Sequence, residues 1–270
     1  MTMPVDLVLV RHGQSEQNLA VQAAKNGDIS LITDEYRQTP DSQFRLSAKG
    51  RDQARETGEW LRHNGLGYFE RRYVSDYVRA KETAGYLQLM GPDWYVDPSL
   101  REREWGSLEG FSWEDLEDKI RHDAQVRHKD PFYWVPPNGE SIAQLTVRLR
   151  ILLDTLHREC SDMRVVVVCH GEVMWALRFM LERMSVTTWE ALESSQEPGV
   201  AIYNCQILHY TRRDPESGAL APHLDWMRSL CPCQPPNNGP GWQRIVRETF
   251  SNDELLDQAS KSPHLFRVNY

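Results

Sequence analysis

The chain alternates short unbroken apolar runs with longer segments in which apolar positions recur at helical spacing. Leu7-Val8-Leu9-Val10 and Val165-Val166-Val167-Val168-Cys169 are continuous and rich in β-branched residues, as expected of strands buried on both faces of a parallel sheet. Tyr73 to Ser75 and Trp94 to Val96 are shorter strand candidates. Helices are expected from Ser15 to about Ala24, Ser47 to about His63, Arg79 to Met90 and Ser141 to His157. In the last, Leu145, Leu149, Leu153 and Leu156 form one stripe, and Ser141 with Gln144 makes a capping box. A further stripe, Val173, Met174, Leu177, Leu181 and Met184, follows the second apolar run. Alternating β and α elements predict an α/β layered fold around a mostly parallel central sheet.

Two segments interrupt the pattern. Residues 25–45 are polar and turn-rich, with Asn26-Gly27-Asp28 and Thr39-Pro40-Asp41-Ser42, and residues 100–110 form a charged loop. Past residue 212 the alternation stops among Pro232, Pro235-Pro236 and Asn237 to Gly241, leaving an irregular C-terminal extension with one short helix near Asn252 to Ala259. Residues 1–212 are therefore expected to form one domain, and residues 213–270 an extension of unknown role.

Of the 270 residues 40% are hydrophobic, enough for one sizeable core. The formal net charge of -8 argues against nucleic acid or an anionic membrane as the main partner, yet leaves room for a local cationic pocket. No apolar stretch reaches membrane-spanning length, and Met1-Thr2-Met3-Pro4 lacks the basic region and apolar core of a signal peptide, so a cytoplasmic location is expected. Five cysteines in no framework spacing read as reduced thiols, and Cys231-Pro232-Cys233 has no second ligand pair nearby to complete a zinc site. Assembly into a homo-oligomer is left open.

The chemistry concentrates where the two long apolar runs end. Each closes on a His-Gly pair, Arg11-His12-Gly13 in the first and His170-Gly171 in the second. In open α/β sheets ligands bind beyond the carboxyl ends of such strands. Four more blocks follow in order: Leu46-Ser47-x-x-Gly50-x-x-Gln53-Ala54, Ser75-x-x-x-Arg79-Ala80-x-x-Thr83-Ala84, Leu100-Arg101-Glu102 and Gly139-Glu140-Ser141. Together with Arg11 to Asn18 and His170-Gly171 they resemble, over residues 5–210, the histidine phosphatase superfamily. The resemblance is greater to its branch of cofactor-dependent phosphoglycerate mutases and related phosphatases. It implies a three-layer α/β sandwich, a phosphohistidine intermediate and no metal; separately, no cofactor is expected. At Glu102 it implies the proton donor.

The residues support that chemistry independently. Phosphoryl transfer through the enzyme needs a neutral imidazole nitrogen, and His12 is the candidate nucleophile. The transferred oxygens need several fixed donors, which Arg11, Arg79 and His170 could supply with help from the Asn18 amide and loop N–H groups such as that of Gly171. A poor alkoxide leaving group needs an acid, the task expected of Glu102. Blander readings compete. Arg79 could pair with Glu82 on its own helix, Glu102 could belong to an acidic surface run with Glu104 and Glu109, and Glu140 and Ser141 read as a helix start. Glu172 either faces solvent or selects a substrate with a positive group. Residues 19–45 lack the short Gly-Trp segment typical of the mutases. The expected function is a metal-independent phosphomonoester hydrolase acting on a small phosphorylated metabolite. Mutase-type phosphotransfer and a non-catalytic phospho-ligand-binding module remain as alternatives.

Overall fold

The structure, a computed structural model, describes residues 2–108 and 127–266. Glu109 and Gly110, the end of the charged loop, lie outside the described residues. Seven strands form one mixed sheet in the order β3-β2-β4-β1-β5-β6-β7. They are β1 (Asp6–Arg11), β2 (Arg71–Val74), β3 (Tyr95–Val96), β4 (Arg164–Cys169), β5 (Ile207–Thr211), β6 (Trp226–Leu230) and β7 (Gln243–Arg244). The half from β3 to β1 is parallel, and β5, β6 and β7 are added antiparallel. The sheet therefore runs past residue 212. The segment expected to be irregular supplies β6 and β7, although most of it does lie outside regular elements.

Among the described residues the helices given whole are α1 (Glu16–Lys25), α2 (Asp34–Gln38), α3 (Ala48–His63), α4 (Val78–Leu87), α5 (Ile142–Glu159), α6 (Gly171–Glu182), α7 (Val186–Glu193) and α8 (Asn252–Ser260). Alternation along the buried strands sorts side chains onto two faces. Leu7, Leu9, Val165 and Val167 pack against Leu145, Leu149 and Leu152 of α5, Met174 and Leu177 of α6 and Trp189 of α7. Val8, Val10, Val166 and Val168 pack on the opposite side against Leu61 of α3 and Ala80, Ala84 and Leu87 of α4. Because both faces are covered, the central strands must be apolar throughout.

Caps set the helix starts. Ser15 with Asn18, and Ser141 with Gln144, form capping boxes at α1 and α5. Helix α4 ends earlier than its pattern predicts, at Gln88 in the left-handed region (φ 49°). Met90 beyond it bonds instead to Gly67 and Phe69. The insertion at 25–45 contains α2 and a 3-10 turn, Asp41–Gln43. Among the described residues no helix is long and apolar enough to cross a membrane.

Candidate active site

Strands β1 and β4 are parallel neighbours with Arg11 opposite Cys169, so His12 and His170 leave the same end of the sheet side by side. Their ring centroids are 5.1 Å apart. The loop after His12 is clamped by residues from the next two sequence blocks. The Gly13 N–H donates to Thr83 Oγ1 (3.1 Å) and the Gln14 N–H to Gln53 Oε1 (2.9 Å). The backbones touch as well. A Cβ on Gly13 would stand 2.4 Å from the Gly50 carbonyl oxygen, and one on Gly50 would stand 2.0 Å from that of Gln14. Glycine at both positions lets α3 press directly on the His12 loop.

His12 Nδ1 lies 2.7 Å from the Gly13 carbonyl oxygen. A carbonyl can only accept, so this contact assigns the proton to Nδ1 and leaves a lone pair on Nε2. Burial, then the charges of Arg79 and Arg11, push the His12 pKa well below the usual histidine range, so the ring is neutral at pH 7. His170 is neutral for similar reasons, burial first, then Arg79 and His12. Its Nε2 is 2.8 Å from Ser75 Oγ, while its buried Nδ1 has no hydrogen-bond partner. Arg11 donates through Nη1 to the Ile202 carbonyl (2.7 Å), and its buried Nε is likewise unpartnered. The guanidinium lies against Gly171, where a Cβ would stand 3.5 Å from Arg11 Nε, an ordinary contact distance. Buried nitrogens without partners are uncommon. Two of them beside a neutral imidazole make a cradle suited to a small anion.

A cavity of about 520 Å³ opens over this group, lined by Arg11, His12, Asn18, Asp41, Arg79, Glu102, Gly171, Glu172 and Glu193, among others. The side chain of Asn18 is fixed from behind, its Oδ1 accepting from the Ser15 N–H (3.3 Å) and from Asn204 Nδ2 (3.1 Å). Asn204 Nδ2 also donates to the His12 carbonyl (3.2 Å). The loop carrying Glu102 is held by Arg148 of α5, whose guanidinium donates to the backbone carbonyls of Ser99, Arg101 (3.1 Å) and Glu102 (3.4 Å). Arg148 is itself paired with Glu140 (2.6 Å). Burial, then the neighbouring Glu172, raises the Glu102 carboxyl to about 7, against a lowering hydrogen bond from the Arg103 N–H. It can therefore carry a proton at neutral pH.

Arg79 lines the cavity, and it does not pair with Glu82 as the competing reading had it. Its Nε–H donates to His12 Nε2 (3.3 Å), as a pocket residue should, but the end of its fork grips Asp41, at 2.9 Å from each of Nη1 and Nη2. Glu82, one turn along α4, pairs with Arg45 rather than with Arg79, and accepts from the Leu46 N–H (2.6 Å). Glu172, for which the sequence left a solvent-facing or a substrate-selecting position, lines the cavity beside Glu102. Asp41, Arg148 and Asn204 carried no site signal in the sequence. Asp41 sits in a Pro-Asp-Ser turn, where aspartate is ordinary, and the other two act through backbone carbonyls that no motif announces.

The sequence profile of the histidine phosphatase superfamily (branch 1) matches residues 7–212. A 2,3-bisphosphoglycerate-dependent phosphoglycerate mutase of Methylorubrum extorquens is 34% identical over 194 residues, which span 69% of this chain and 84% of the relative. Among solved structures, mycobacterial glucosyl-3-phosphoglycerate phosphatase in complex with VO3 superposes with a TM-score of 0.56 and 25% identity, over 76% of this chain and 90% of that one. A protein described as mycobacterial hydrolase 2 shares the fold over 98% of this chain and 100% of its own, with a TM-score of 0.58 and 23% identity.

Proposed function

The chain belongs to the histidine phosphatase superfamily, branch 1, and from that premise we propose that it is a metal-independent phosphomonoester hydrolase working through phosphorylated His12. The observation that carries the reading is the His12 ring itself. It is neutral, held at Nδ1 by the Gly13 carbonyl, and its Nε2 faces the Arg79 Nε–H in a cavity that also holds Arg11 and Glu102.

In the first step His12 Nε2 attacks phosphorus, the P–N bond forms and the P–O bond to the leaving group breaks. Arg11, Arg79 and His170 donate to the oxygens that carry the developing charge. Glu102 gives its proton to the leaving alkoxide and becomes a carboxylate. In the second step that carboxylate takes a proton from water as the water oxygen attacks phosphorus, the P–N bond breaks, and phosphate and the starting enzyme result.

A second reading, mutase-type transfer, is favoured by the 34% identity to a phosphoglycerate mutase. The electrostatics of the cavity support hydrolysis of another substrate instead. Phosphoglycerate bears a carboxylate besides its phosphate. Among the described lining residues the arginines are Arg11 and Arg79, at the phosphoryl end, and the others with charge are Asp41, Glu102, Glu172 and Glu193. With Asp41 paired to Arg79, a second anion would meet Glu172 and Glu193 in the lining, with Arg103 and Arg127 behind them. The test is incubation with 3-phosphoglycerate and with a panel of phosphomonoesters, reading inorganic phosphate against isomeric product. Substrate should leave an acid-labile, alkali-stable phosphoryl group on the wild-type protein and none on His12→Ala. Full labelling of that variant would remove His12 as nucleophile, and an isomer in place of phosphate would decide for the mutase.

A further inference from the structure

Arg79 is held on three sides, and the side left over faces the nucleophile. Its guanidinium lies over the Tyr77 ring, 4.8 Å from the centroid. At the end of the fork Asp41 accepts from Nη1 and Nη2 at 2.9 Å each, and its backbone carbonyl accepts from Nη1 at 2.5 Å. A guanidinium has five N–H bonds in one plane. Asp41 takes both of those on Nη1 and the end-facing one on Nη2. The two that remain, on Nε and Nη2, lie along one edge, and Nε is 3.3 Å from His12 Nε2.

We propose that Asp41 is a positioning residue for phosphoryl transfer: by occupying the end of the Arg79 fork it turns the Nε/Nη2 edge toward the phosphorus that His12 Nε2 attacks. The inference rests on the reading of His12 as nucleophile. Two further observations support it. The pair is buried, with side-chain exposures of 3% for Arg79 and 10% for Asp41, and Arg79 stands near the second cation Arg11, so an unpaired Arg79 would be a costly buried charge. Asp41 also belongs to an anchored segment. Phe44 packs on Tyr36 at 5.0 Å, Leu46 bridges to Ser15, and Arg45 and Leu46 bind Glu82, one turn from Arg79 on the same helix. A carboxylate merely plugging the anion site until phosphate displaces it would not need a second tether.

The experiment compares wild type with Asp41→Ala, Asp41→Asn and Asp41→Glu, and with Arg79→Ala alone and combined with Asp41→Ala. Turnover of p-nitrophenyl phosphate is normalised to phosphorylatable His12, so that misfolded protein is not counted. Inorganic phosphate serves as the probe of ground-state binding. Positioning predicts that kcat falls about 10- to 100-fold in Asp41→Ala and Asp41→Glu, since a misplaced donor loses transition-state contact. The inhibition constant for phosphate should stay level or tighten, because a cation has been released. In the Arg79→Ala background the Asp41 change should add little. A kcat that is unchanged or higher in Asp41→Ala with tighter phosphate binding would identify a displaceable plug and overturn the proposal. So would equal, additive losses in both backgrounds. Were His12→Ala still active, the reading of the site would fail first; an inactive His12→Ala beside an unaffected Asp41→Ala would sink only the role of Asp41.

Discussion

Exchange of Glu102 for glutamine separates the acid from the phosphoryl cradle. Burial and then the charge of Glu172 carry the Glu102 carboxyl from 4.5 to about 7. At pH 7 it then holds its proton in about half the molecules, where an unshifted carboxyl would hold it in roughly 1 in 300. An alkyl phosphate needs that proton on its leaving oxygen, whereas p-nitrophenolate leaves as a stable anion. For wild type, kcat/KM on an alkyl ester should fall about tenfold per pH step above about pH 7, with no matching fall for the aryl ester. The aryl ester loses its second phosphate proton at lower pH than the alkyl ester, so each profile is first corrected for its own substrate titration, and the remaining difference isolates the enzyme group. On the acid side His12 must stay neutral, and because its pKa is pushed well below 6.5 the acid limb lies lower still. In Glu102→Gln the alkyl ester should lose about 100- to 10,000-fold, the aryl ester only a few-fold, and the alkaline limb should vanish. Initial rates on both esters at substrate well below KM, which report the first step and not the shared hydrolysis of the phosphoenzyme, supply the comparison across the neutral range. Equal losses on the two esters, or an alkaline limb that survives the substitution, would refute Glu102 as the acid and point to Glu172 or to Glu193, whose pKa is also raised, by burial and then by Glu172.

Three further outcomes are expected. Glu172→Gln removes the repulsion that helps keep Glu102 protonated, so the alkaline limb of the alkyl-ester profile should move to lower pH; a limb that stays in place would show that burial alone sets it. Turnover should survive prolonged treatment with a chelator, because the arginines already bring positive charge to the phosphoryl oxygens; loss of activity restored by zinc or magnesium would contradict the mechanism. Gly50→Ala should lower thermal stability by about 1–3 kcal/mol and impair turnover, since its Cβ would meet backbone 2.0 Å away. The control is Gly85→Ala on the exposed side of α4, where nothing lies within 4 Å and the change should be neutral or stabilising by up to about 1 kcal/mol.

Much of the architecture is written locally. Leu7 to Val10 and Val165 to Cys169 are buried on both faces and so leave an unbroken apolar signature, and the two His-Gly pairs at their ends follow from chain direction once the strands are parallel. The start of α5 is equally local, because Ser141 and Gln144 cap it without help from distant residues. Strand β6 is different. Trp226 to Leu230 alternates half-buried with buried positions and carries an arginine, and β7 is two exposed residues, so neither resembles the central strands until β5 offers an edge to pair with.

The site divides along the same line. Arg11, His12, Arg79, Glu102 and His170 belong to recognisable blocks, because each must be one residue type at one place relative to a strand or helix end. Which partner each side chain takes is settled only by folding. Arg79 passes over Glu82, three residues along its own helix, for Asp41, which lies 38 residues earlier in the chain. The neighbouring Gly13 carbonyl places the proton on His12, but the neutrality of that ring, the orphaned nitrogens of Arg11 and His170, and the raised carboxyl of Glu102 come from burial and from charges brought together by folding. Residue types and spacing specify which groups are available; protonation and orientation depend on desolvation and through-space charge, and those exist only once the chain has closed around them.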